Sequence, residues 1–98
     1  MQKISQGTFE RAKMSSLAES RCCSYGNSLF LQSIAMELVT LNGIGYICCY
    51  DSTLCNRDDS YGYSYYKGPA SDAEAEYKAF EEYAAEYFEA NYPVAGGF

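Results

Sequence analysis

Asn42-Gly43 sits between two apolar runs, residues 34–41 and 44–50. Both residue types tolerate positive φ, which a two-residue hairpin turn of the mirror-image type requires at each position. The dipeptide therefore predicts an antiparallel hairpin and also its register. Leu41 meets Ile44, Val39 meets Tyr46, Glu37 meets Cys48 and Ala35 meets Tyr50. A one-residue slip would exchange the two faces, so the turn also chooses the core side. The face carrying Ile34, Met36, Leu38, Ile47 and Cys49 is continuously apolar and is the expected core face. Residues 28–32 (SLFLQ), after a turn at Tyr25-Gly26-Asn27, read as another short strand. Residues 61–67 (YGYSYYK) read as an edge strand.

A hairpin alone is marginal in water and needs a cover. The C-terminal segment supplies one. Ala73, Tyr77, Phe80, Ala84, Tyr87 and Phe88 recur at spacings of three and four, the signature of one helical face. Gly68-Pro69 marks the loop before it, Ser71 or Asp72 is the expected cap, and Ser71 with Glu74 forms a capping-box pattern. Pro93 and Gly96-Gly97 close the segment. The spacing predicts a helix over residues 72–91. Thr8 is the expected cap of a shorter helix over residues 8–20, carrying Phe9, Ala12, Leu17 and Ala18; an extended course for residues 12–17 (AKMSSL) is the alternative reading. The fold class that follows is α+β, with residues 1–98 as a single domain. Its antiparallel sheet has three or four strands and is covered by the long C-terminal helix.

Charge divides the chain sharply. Residues 1–69 carry six acids and six bases, which cancel. Residues 70–98 carry Asp72, Glu74, Glu76, Glu81, Glu82, Glu86 and Glu89 against the single base Lys78, and so hold the whole net charge of −6. Such a face repels nucleic acid and anionic lipid and attracts basic surfaces. Glu82, Glu86 and Glu89 recur on the side of the helix opposite its apolar stripe. Acids three and four apart on a helix lie about 5–6 Å from each other. That pitch approximates the phosphates along a DNA strand.

Composition narrows the chemistry. Histidine is absent, which removes the usual general bases and the commonest metal ligand. The five cysteines (Cys22, Cys23, Cys48, Cys49, Cys55) lack zinc-ligand spacing, and neighbours in a strand point to opposite faces. Cys49 is expected in the core, Cys48 half-buried and the others as loop thiols. No apolar leader and no span near ~18 residues is visible. Cytoplasmic placement with reduced thiols is therefore the expectation. Paired carboxylates capable of acid–base work need a cleft and one raised pKa, and only Glu37 lies among apolar residues. An enzyme is not expected, nor a metal or other cofactor. The Tyr61, Tyr63, Tyr65 patch is the kind of platform on which bases stack, but it lacks a basic groove. Asp58 and Asp59 flank Arg57 beside it.

A short, acidic, histidine-free chain with a small sheet and the segment DAEAEYKAFEEYAAEYFEA resembles the small inhibitors encoded by phages and mobile elements, the anti-CRISPR proteins among them. The likeness lies in overall build; no motif residue carries over, and Arg57, Asp58 and Asp59 have no counterpart in that picture. It implies a non-catalytic inhibitor in the cytoplasm of a bacterial host. Its partner would be a protein with a basic, nucleic-acid-binding surface, such as a CRISPR effector complex. There would be no direct contact with nucleic acid or membrane. The expected contact residues are Glu74, Glu81, Glu82, Glu86, Glu89, Asp58, Asp59, Tyr61, Tyr63 and Tyr65. Two alternatives stand beside it: a phage accessory module whose acidic face only solubilises, and a Tyr-rich single-strand binder.

Overall fold

A computed structural model describes residues 1–27, 32–50 and 63–91 of the chain. The elements follow in the order β1 (Gln2–Lys3), α1 (Gln6–Lys13), β2 (Glu19–Asn27), β3 (Gln32–Leu41), β4 (Ile44–Tyr50), β5 (Tyr63–Pro69) and α2 (Ala70–Asn91). The strands form one antiparallel sheet in the order β1-β5-β4-β3-β2. The fold is thus α+β, with five strands among the described residues, one more than the upper expectation.

The hairpin register is the one that the turn dictates. Leu41 pairs with Ile44, Val39 with Tyr46, Glu37 with Cys48 and Ala35 with Tyr50. Asn42 and Gly43 both adopt positive φ, 52° and 78°, as the mirror-image turn demands. The Gly43 carbonyl also accepts a hydrogen bond from the Ala70 N–H at 2.9 Å. That bond ties the start of α2 to the tip of the hairpin.

Packing on the α2 face follows the expected stripe. Met36, Leu38, Ile47 and Cys49 from the sheet join Ala73, Tyr77, Phe80 and Ala84 from the helix in one buried cluster. Removing each large apolar side chain from water contributes roughly 1.5–3 kcal/mol. Gly45 lets the helix approach closely, because a Cβ there would collide with the Cβ of Ala73. Ala73 itself is fully buried. Ile34, Tyr87 and Phe88 lie outside the residues whose side chains are described.

Several local expectations are corrected. The N-terminal helix ends at Lys13, and residues from Glu19 onward form β2. Its cap is Ser5, whose side chain accepts from the Thr8 N–H at 3.2 Å. Thr8 therefore sits inside the helix at the third position. Tyr25-Gly26-Asn27 continues β2 and is not a turn. Leu17 is exposed and belongs to no helix. Residue 32 opens β3, and residues 28–31 of the expected SLFLQ strand lie outside the described set. The strand expected at 61–67 is β5 at 63–69, and it is internal because β1 pairs with its outer side. Helix α2 begins at Ala70, so Ser71 and Asp72 lie in its first turn.

The second face of the sheet is also buried, which the hairpin pattern did not anticipate. Phe9 and Ala12 of α1 cover Val39 and Cys48, with Ile4, Leu41, Tyr46 and Tyr65 packed around them. Val39 is 0% exposed. The short helix thus turns a one-faced sheet into three layers.

Candidate interaction surface

Helix α2 rests on the sheet through residues spaced three and four apart, so the rest of its circumference carries its charge. Glu74, Glu82 and Glu86 are exposed, and Glu81 is half-buried. Glu89 lies in α2, with its side chain outside the described set. Glu82 and Glu86 are one turn apart, about 6 Å along the axis, on the side facing away from the sheet.

The acidic surface is not evenly disposed about that axis. Glu74 and Glu81 lie on the flank that overhangs β2. Arg21 of β2 forms an ion pair with Glu74. Its guanidinium stacks 4.8 Å from the centroid of the Tyr77 ring. The hydrogen bond to Glu74 and the nearby charge of Glu81 raise the Arg21 pKa above its ordinary value. Beneath them Tyr77 donates its hydroxyl to the Cys23 sulfur. Burial pushes both groups upward, and the hydrogen bond raises Tyr77 further. Arg21 and Cys23 are therefore part of this surface. A helix read through residue 20 and loop thiols after it concealed them. Of Cys22-Cys23-Ser24-Tyr25 only Tyr25 favours a strand by residue type, so the local signal for β2 was weak.

A parallel arrangement occupies the α1 face. Lys13 Nζ lies 2.8 Å from Glu37 Oε2, and this hydrogen bond raises the Lys13 pKa. The acid singled out for its apolar setting is thus one half of an ion pair. Cys48 is pushed up to about 11, chiefly by burial. Tyr65, desolvated beside it and donating to its sulfur, is pushed up to about 12. A thiol held protonated at neutral pH is a poor nucleophile.

Tyr63 and Tyr65 share that face, with ring centroids 6.4 Å apart. Only Tyr63 is well exposed, whereas Tyr65 packs on Phe9 at 5.4 Å. Tyr65 is thus committed to the core cluster. Asp58, Asp59 and Tyr61 lie outside the described residues. A shallow groove of about 370 Å³ runs over Ile44, Tyr46, Lys67 and Pro69.

Cys22 and Cys23 lie on β2, which corrects their expected place in a loop. Cys22, Cys23 and Cys48 carry free thiols, whereas Cys49 is disulfide-bonded. The expectation of five reduced thiols therefore fails at Cys49, because a compartment argument is blind to which sulfurs the fold brings together. Among the described residues no group of three or more potential ligands is placed to hold a metal ion. No helix there is long and apolar enough to cross a membrane. Compared with known proteins, the chain matches no family model, no curated protein and no solved structure.

Proposed function

We propose that this protein is a non-catalytic inhibitor that docks its acidic helix onto a basic, nucleic-acid-binding surface of a bacterial defence complex, in the manner of an anti-CRISPR protein. The observation that carries the reading is the segregation of charge on a rigid support. The whole net charge lies in the last third of the chain. Ala73, Tyr77, Phe80 and Ala84 clamp that helix to the sheet, so its carboxylates are presented without the entropic cost of ordering a loose segment. A basic cleft shaped for phosphates gains by exchanging its counter-ions for such a row. The proposed site of action is the bacterial cytoplasm. The proposed contacts centre on Glu82 and Glu86, with Glu74, Glu81 and Glu89 alongside.

The test is displacement of target DNA from purified, guide-loaded CRISPR effector complexes, followed by mobility shift. The wild-type protein should release DNA from at least one complex. Glu82→Lys with Glu86→Lys should leave the circular-dichroism spectrum and melting point unchanged, since both side chains are exposed and lysine suits a helix as well as glutamate. The same variant should lose the displacement by roughly tenfold or more. Full displacement by the folded double variant would rule out the charged helix as the contact.

A further inference from the structure

We infer that the outer edge of β2 is a strand-addition site for an extended, basic segment of the partner protein. This rests on the proposal above that the partner is basic, and it adds where and how that partner is gripped. The sheet has two ends, treated differently. At one end β1 pairs with β5, and the Ile4 N–H donates to the Tyr65 carbonyl at 2.9 Å. At the other end stands β2, a continuous nine-residue strand with no element beyond it among the described residues.

Which backbone groups face outward follows from the turn. A two-residue hairpin makes Leu41 and Ile44 a hydrogen-bonded pair. Residues 41, 39, 37 and 35 of β3 therefore bond to β4, and residues 40, 38, 36 and 34 bond to β2. Their partners are Glu19, Arg21, Cys23 and Tyr25. The N–H and C=O groups left pointing outward are those of Ser20, Cys22, Ser24 and Gly26. The same alternation carried across β4 turns the Tyr65 carbonyl outward on β5, where Ile4 is seen to use it.

Natural sheets blunt an open edge with proline, a bulge or an outward charge. Strand β2 has no proline, and its ladder to β3 runs from Glu19 to Asn27 without a bulge. Its one cation, Arg21, is drawn back over the sheet by Glu74 and the Tyr77 ring. The edge is thus left available for another strand. Its chemistry is set by α2. A residue placed opposite Arg21 or Cys23 projects to the α2 side, next to the flank that carries Glu74 and Glu81. Glu74 is matched there by Arg21, so the negative surplus at this edge comes from Glu81 and from Glu19 of β2; lysine or arginine at alternate positions of the added strand would be drawn to it, and acids would be repelled.

The test uses a nine-residue acetylated and amidated peptide alternating lysine with valine or threonine, and amide exchange followed by NMR. Added to the wild-type protein, it should slow exchange at Ser20, Cys22, Ser24 and Gly26 by about tenfold or more, without a comparable change at Arg21 and Cys23. The same peptide with glutamate for lysine should bind at least roughly tenfold more weakly. Cys22→Pro removes one outward N–H and no ladder bond, as an edge strand tolerates, and should weaken the lysine peptide about tenfold. Exchange in the unsubstituted protein decides the matter should that variant misfold. Binding of the lysine peptide with all four amides unchanged, or no binding, would overturn the strand site. Slowed exchange with equal affinity for the glutamate peptide would keep the edge but overturn its basic occupant. The DNA-displacement assay is independent of both results, so failure of the inhibitor reading is separately visible.

Discussion

Under α2, four sheet residues and four helix residues make one buried cluster among the described residues, whereas under α1 the buried set is Phe9 and Ala12 with Val39 and Cys48, edged by partly buried neighbours. Each face nevertheless contains a cysteine–tyrosine hydrogen bond and an ion pair that reaches back to the sheet: Cys23, Tyr77, Arg21 and Glu74 on one side, Cys48, Tyr65, Lys13 and Glu37 on the other. The difference is one of leverage. Helix α2 has 22 residues and α1 has eight, so α2 can be held along several turns while α1 depends on a single aromatic anchor. The large face is suited to carrying a rigid charged surface, and the small one closes the core behind it.

The largest effect should come from Phe9→Ala, which empties the anchor of the small face and costs about 3 kcal/mol or more. Native-state hydrogen exchange should show that loss in the α1 amides, with α2 amides shifting by less than about 1 kcal/mol. Equal losses in both helices would merge the two faces into one cooperative unit and end the contrast.

Gly45→Ala attacks the large face and should be next. Ala73 is fixed in the first turns of a buried helix and cannot give way as a flexible side chain would. The collision should cost about 1–3 kcal/mol, more than the few tenths to 1 kcal/mol that a stiffer unfolded chain returns. Thermal melting followed by helix ellipticity reads the loss. An unchanged melting point would show that the helix can lift from the hairpin without penalty.

Alkali should give the smallest and most graded effect, and it acts on both faces. Cys48 and Tyr65 have folded pKa values raised to about 11 and about 12, above their unfolded values. Between those limits the unfolded chain binds fewer protons than the folded one, so stability falls as pH rises. It is fully present below pH 9 and declines from about pH 9 to pH 12. Raised Tyr77 and Lys13 act in the same direction. A melting point lowered on the order of 10 °C between pH 9 and pH 11 is expected. In Cys48→Ala the remaining decline should move toward the tyrosine range.

Local signals reached a definite part of this molecule. Asn42-Gly43 set four strand pairs correctly because a two-residue turn leaves no freedom in register. The stripe from Ala73 to Ala84 named the helix face because burial must follow the period of 3.6 residues. Ser5 was missed in favour of Thr8, since two hydroxyl residues three apart offer the same capping pattern and only backbone geometry separates them. Tyr63 and Tyr65 look alike along the chain, yet Phe9, 56 positions before Tyr65, takes one of them into the core.

What the sequence determined by itself was therefore local or additive: the hairpin, the amphipathic helix, and the confinement of net charge to the last third. The tertiary structure decided which strand stands at the edge, which carboxylates lean over it, and that Arg21 is pulled away from that edge by Glu74. Those outcomes depend on contacts between residues far apart in the chain, such as Arg21 with Glu74 and Gly45 under Ala73 with Gly68 as its neighbour on β5. Such contacts form only when the whole sheet has assembled. No window of the chain contains both partners, and so no periodicity within it can announce them.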